Sequence, residues 1–145
     1  MAVINFEDYK VTKMQFIEND DFELKQQSEP IELDHEINFN IYKKDNLDEA
    51  IVELTIKVGG LDLDVEPFFL TVTIKGIFTF NASEDKLSNG FDTYLKGNAL
   101  AILFPYVRQI ISMLTSMSNS YPTYIMPTIN IVKVLEEMEN SNSED

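Results

Sequence analysis

The 145-residue chain has no cysteine and no tryptophan, one histidine, and only five glycines and five prolines. Without thiols there is no disulfide scaffold, sulfur nucleophile, thiolate zinc site or redox relay. A chain of this length buries roughly 68 to 70% of its unfolded surface, so it can fold on its core alone. Positive charge is scarce: 11 Lys and Arg stand against 25 Asp and Glu, a net charge of −14. That field repels phosphate backbones and anionic lipid, and no run of Lys or Arg interrupts it. Neither nucleic acid nor membrane is expected as a partner. Long apolar runs are missing too. The longest, Ala99 to Val107, contains Pro105, and a membrane-spanning helix needs roughly 20 apolar residues. The start, Met1 to Asp8, lacks the basic beginning and apolar stretch of a signal peptide, and a cytoplasmic location is expected.

What the chain does have is period-2 patterning first and period-3.6 patterning later. Val11 to Ile17 reads as a strand carrying a bulge. Glu18 to His35, polar and acidic with Pro30, reads as a long crossing loop. Ile37, Phe39 and Ile41 alternate with Asn38 and Asn40, the pattern of a strand with one apolar face. Ala50 to Val58 places Val52, Leu54, Ile56 and Val58 on one face, and Phe68 to Phe80 is the longest strand, with Gly76 as a bulge or close-approach point. The joining loops are too short for crossover helices and imply an antiparallel meander.

From about Asn98 to Met117 the period becomes helical, with one stripe through Leu100, Leu103, Val107 and Ile111 and a second through Ile102, Tyr106, Ile110 and Met113. Two apolar faces need two partners. The sheet face bearing Val52, Leu54, Leu70 and Val72 is expected to take the first, and a second copy of the chain, at Tyr106, Ile110 and Met113, the other. Pro105 is expected to kink or restart this helix. Tyr121 to Ile129, with two prolines, reads as an extended connector, and Asn130 as the cap of a short helix with Ile131, Val134, Leu135 and Met138 on one side. The reading is therefore α+β: a four-stranded antiparallel sheet with one long and one short helix packed on one face, a single domain over 1–138, and an acidic disordered tail over 139–145.

Catalytic constellations are not found. His35 has no cysteine or elbow serine to serve, Asp62 and Asp64 lack a third ligand at loop-motif spacing, and Gly59-Gly60 lacks the Gly-Lys-Ser/Thr of a phosphate loop. The chain is expected not to be an enzyme and to carry neither cofactor nor metal. What stands out is an excess of apolar side chains: Phe39 and its row-mates, Ile31 and Leu33 in the crossing loop, and Tyr121, Tyr124, Ile125 and Met126 in the connector. They are either core or a groove for the apolar side chains of another polypeptide.

The second half carries a more specific signal. Ile102-Leu103-Phe104-Pro105-Tyr106-Val107-Arg108, followed by Tyr121-Pro122 and Pro127-Thr128-Ile129-Asn130, resembles the SecB family of protein-export chaperones, where an I-L-F-P-Y-x-R helix leads into an F-P-x-x-x-x-x-P-x-N connector. Here the connector has one residue fewer between its prolines and one more before Asn130, and Tyr121 replaces phenylalanine. Lys75-Gly76-Ile77-Phe78 is similar to the family's G-G-I-F strand end, with lysine for the first glycine.

The resemblance implies a cytosolic, ATP-independent holdase, a dimer of dimers that binds unfolded or precursor polypeptides and delivers them to the motor ATPase of the translocase. The alternatives are a dedicated SecB-like chaperone of an antitoxin in a toxin–antitoxin system, or a scaffold for one folded partner. By motif position the client groove falls on Ile31, Leu33, Ile37, Phe39, Ile41, Tyr121, Tyr124 and Ile125. The motor-docking surface falls on Asp20, Asp21 and Glu23 with Phe69 and Thr71, the last two standing where the family has a leucine and a glutamate.

Overall fold

The computed structural model describes residues 2–20, 33–44, 48–60, 66–119 and 122–127, together with Lys133 and Glu137. Four strands, β1 (Ile4–Glu18), β2 (His35–Lys43), β3 (Glu49–Gly59) and β4 (Phe68–Phe80), are followed by a single turn of 3-10 helix and by α1 (Phe91–Ser118). The short helix expected after Asn130 lies outside the described residues, apart from Lys133 and Glu137, which are helical. The tail over 139–145 lies outside them entirely.

All pairings are antiparallel, in the order β1-β4-β3-β2. This corrects the simple meander: β2, β3 and β4 form one, but β1 lies beside β4, so the crossing segment carries the chain from one sheet edge to the other in Greek-key fashion. Each end of that crossing is stapled. Asn19 donates its backbone N–H to the Pro67 carbonyl (2.9 Å) and its side-chain amide to the Glu66 carbonyl (2.8 Å). At the other end the Gly59 N–H donates to the Asp34 carbonyl at 2.8 Å. Gly59 has φ +74°, and a Cβ there would lie 2.1 Å from the Phe68 carbonyl oxygen, so only glycine fits.

The alternation expected of β3 and β4 is realised. Val52, Leu54, Leu70 and Val72 are fully buried on the face that meets α1. β1 begins at Ile4, well before the expected Val11. Its inward residues, Ile4, Phe6, Tyr9, Val11, Met14 and Phe16, are spaced 2-3-2-3-2 because register shifts fall between Phe6 and Asp8 and between Val11 and Lys13. Each extra residue breaks the alternation that marks a strand.

α1 is a continuous helix of 28 residues that runs through Pro105 without a restart. It begins earlier than expected because its buried face follows a strict four-residue step: Phe91, Leu95, Ala99, Leu103, Val107, Ile111 and Thr115 are all buried. Such a row winds slowly round the helix and lies obliquely along the twisted sheet. Leu103 seats over Gly76, where an added Cβ would come within 2.8 Å of its Cδ2 atom. By length and composition α1 could also cross a bilayer, but this row is packed on the sheet.

The turn before α1 is built around Asp85. Its carboxylate accepts from the Gly90 N–H at 2.8 Å, the Asn89 N–H at 3.1 Å and the Tyr94 hydroxyl at 3.0 Å. The Gly90 bond foremost, with the Asn89, Tyr94 and Ser88 bonds outweighing the opposing desolvation, holds the Asp85 pKa below its ordinary value. A depressed carboxylate contributes stability that is full above its unfolded-state pKa and lost as pH falls through its folded-state pKa. Asp85→Ala should therefore lower the melting temperature at neutral pH, and the gap from wild type should close as the pH is taken below about 4. Thermal melts of both proteins across that range check this.

Candidate functional site

The inner face of the sheet is wider than the helix laid on it. Four strands spaced about 4.8 Å apart are covered by a cylinder about 10 to 12 Å across. α1 runs over β4 and reaches β1 and β3 on either side of it, and the inward side chains of the two central strands are buried from Ala50 to Val58 and from Phe68 to Phe78. The inward rows of the two outer strands are only half covered.

On the β2 side that row is Ile37, Phe39 and Ile41, in register with Ile56, Leu54 and Val52. All three are half-buried and rest on the core. His35 and Lys43 close the row at its two ends, both exposed, with Lys43 ion-paired to Asp92 at the start of α1. Leu33, held through the Gly59–Asp34 bond, is half-buried against the same core. Ile31 lies outside the described residues.

The connector over 122–127 is fastened to the last turns of α1. Tyr124 donates its N–H to Thr115 Oγ1 (2.9 Å), and its carbonyl accepts from the Ser112 hydroxyl (3.3 Å). The buried Thr115 hydroxyl in turn donates within the helix, to the Ile111 or the Ser112 carbonyl, both at 3.1 Å. This clamp turns Met126 into the core and leaves Ile125 64% exposed. The Tyr124 ring stands edge-on to Phe68 at 6.5 Å, and Phe68 meets Phe16 in a tilted contact at 5.2 Å. Burial pushes the Tyr124 phenol above its usual pKa. Tyr124 is thus anchored by its backbone and half-buried, and Ile125 is the residue presented outward. Tyr121 lies outside the described residues.

The β1 side leaves the second uncovered row. Tyr9 and Val11 are each 37% exposed and Met14 54%, and α1 turns Met113 (47%) and Met117 (74%) outward. Tyr106 packs against its own β1 in tilted ring contacts, 4.3 Å from the Tyr9 ring and 5.9 Å from Phe6. Ile110, read from periodicity as part of a partner-facing stripe, is buried within its own chain. The β1 residues of this surface escape the sequence reading; their 2-3-2-3-2 spacing is the signal that a strand with two bulges leaves.

Of the five positions of the motor-docking reading, three are among the described residues. Asp20 is exposed, Asp21 and Glu23 lie outside the described residues, and Phe69 is half-buried. Thr71 is 2% exposed, with its hydroxyl buried and without a hydrogen-bond partner. Among the described residues no group of carboxylates and imidazoles could hold a metal ion.

Comparison with known proteins places this geometry. The family model described as preprotein translocase subunit SecB matches residues 12–142. An uncharacterised protein of Methanocaldococcus jannaschii, MJ0357, is 32% identical over 149 residues, covering 99% of this chain and 91% of that one. Among solved structures, the Mycobacterium tuberculosis Rv1957 SecB-like chaperone, in complex with a ChAD peptide from the Rv1956 HigA1 antitoxin, superposes with a TM-score of 0.66. It shares 14% identity over 87% of this chain and 90% of that one, a likeness of fold. A protein of unknown function from Streptococcus agalactiae matches at a TM-score of 0.47 and 13% identity, over 86% and 97% of the two chains.

The connector geometry separates two neighbouring residues. Tyr124→Ala should cost about 1 to 3 kcal/mol, below the 3 to 5 typical of a fully buried aromatic, because the side chain is already partly in water. Ile125→Ala should change stability by no more than about 0.5 kcal/mol. Denaturant titration of the two variants checks both.

Proposed function

The chain belongs to the SecB family, and from that premise we propose that it is a passive chaperone, holding unfolded polypeptide segments against the β2 row and the connector without nucleotide. The half-covered row of Ile37, Phe39 and Ile41, with Leu33, Tyr124 and Ile125 over the same core, is the observation that carries this reading. Apolar client side chains laid on it leave water at roughly 25 cal/mol per Å². Each anchor then offers about 1.5 to 3 kcal/mol before ordering costs, and a single contact is weak. Several such rows on one oligomer gripping one chain raise avidity by about 10² to 10⁴, provided the client spans them. Ile31 and Tyr121 would extend the groove.

The second uncovered row takes a second copy of the chain. Tyr9, Val11, Met14, Tyr106, Met113 and Met117 supply a contiguous apolar surface continuous with the core, and a self-complementary patch of this kind favours a two-fold dimer. The family resemblance extends this to a dimer of dimers in the cytoplasm.

Two uses remain for the held client. General export would need the motor-docking positions, yet Thr71 is buried and Phe69 half-buried. Service to an antitoxin needs only the groove, and the Mycobacterium tuberculosis relative of like fold has an antitoxin peptide bound. These observations favour the dedicated role. A scaffold with one folded partner is the competing class, and it would ignore generic unfolded chains.

At stoichiometric amounts the protein should suppress the aggregation of a denatured client, and Phe39→Ser should weaken client binding by about 1 kcal/mol or more while the oligomer persists. Light scattering during client dilution, with a binding titration, reads both. A protein without effect on aggregation removes the holdase reading. Multi-angle light scattering should return a mass above the 16.7 kDa monomer. Met113→Glu with Met117→Glu should shift the mass towards the monomer, since charge on a desolvated face opposes association.

A further inference from the structure

The sheet face turned away from α1 carries no helix among the described residues, and its composition departs from the rest of this acidic chain. Four of the eleven basic residues stand on it: Lys10 and Lys13 from β1, Lys57 from β3 and Lys75 from β4. Lys10 lies directly opposite Lys75 in the ladder, a like-charge pairing that costs stability. Lysines on an edge strand can be explained as protection against edge pairing. That account covers Lys10 and Lys13, but not Lys57 and Lys75 on the two inner strands. Glu53 reaches Lys75 at 3.8 Å, while Lys10, Lys13 and Lys57 have no ion pair among the described residues. Glu36, beside Lys57 in the ladder, is the other acid of this region, and Glu7, Asp8 and Glu49 gather at the opposite end of the face.

Between the lysines the floor is threonine. The Thr55 and Thr73 hydroxyls bond to each other at 2.8 Å. Thr71, the ladder partner of Lys57, is buried beneath this surface and offers nothing to a ligand laid on it.

We propose that this face is a docking surface for an acidic polypeptide segment, whose carboxylates pair with Lys10, Lys13, Lys57 and Lys75 over the threonine floor. A short peptide is favoured over nucleic acid. A polyphosphate carries its charge continuously past the cluster into the field of a chain with net charge −14. A few carboxylates need engage only the lysine cluster, where they compete with Glu53 and Glu36 for Lys75 and Lys57. The surface lies on the opposite side of the sheet from the client row, so the inference stands or falls separately from the chaperone reading.

A short fluorescent poly-glutamate peptide titrated into the full-length protein tests it, with single-stranded poly-uridine RNA as the competing ligand. The peptide should bind at low ionic strength and lose about tenfold or more in affinity at high ionic strength. Lys10→Glu with Lys13→Glu should weaken it by about tenfold, and Lys57→Gln by a smaller factor, with capture of an unfolded client unchanged. If the double reversal does not fold, Lys10→Gln with Lys13→Gln makes the same measurement. No peptide binding at low ionic strength, binding indifferent to these substitutions, or tighter binding of the RNA would each overturn the proposal.

Discussion

A single helix is too narrow to cover a four-stranded sheet, and most of what is distinctive in this protein follows from that mismatch. The inward residues of β3 and β4 are buried from Ala50 to Val58 and from Phe68 to Phe78, while those of β1 and β2 are left partly in water. A protein of this size ordinarily hides such rows under further secondary structure. Here the described chain leaves one on each flank, which gives the fold two apolar surfaces of different construction. The β2 flank is regular, without a bulge along its nine residues, and edged by a connector. The β1 flank is twice bulged and continuous with the methionine-bearing side of α1. Regular backbone suits a long extended guest. An irregular surface with flexible methionines suits a fitted contact with a partner of fixed shape.

The pieces that hold this arrangement are polar and local. Asn19 and Gly59 staple the two ends of the crossing to the loop between β3 and β4. Asp85 organises the turn that launches α1, and Thr115 with Ser112 fastens the connector at its far end. Each side chain satisfies backbone groups that would otherwise be left open where regular structure stops. The central strands and the four-residue row of α1 supply the apolar burial, and the polar staples decide where the flanking segments lie on it.

Charge is distributed with similar economy. The chain is strongly acidic overall, yet the outer sheet face gathers four lysines around a threonine floor. The positions where the family resemblance implied a leucine and a glutamate are here a half-buried Phe69 and a buried Thr71. The outer face of this member therefore differs in chemistry from the acidic surface implied for a motor-docking relative. The opposite side of the sheet carries the apolar row of β2, so the two faces differ sharply in chemistry.

Much of the fold was legible without coordinates. The strict alternation of β3 and β4 identified their buried face, because side chains on a strand alternate by geometry alone. The I-L-F-P-Y-x-R run identified the long helix and, through resemblance, the family. β1 before Val11 was not legible, since two bulges break the alternation that reveals a strand. The first turns of α1 were hidden because Phe91 and Leu95 belong to a row stepping by four, with Gly97 and charged residues between. Which strands lie at the edges was decided only by the Greek-key crossing, a long-range pairing that no local pattern encodes. Phe39 reads the same in sequence whether its strand is central or flanking; it is partly exposed because β2 lies at the edge of the sheet. Tyr124 stands in a connector without periodicity, and its backbone N–H is held on Thr115, a bond between segments whose proximity exists only once the chain has turned back on α1.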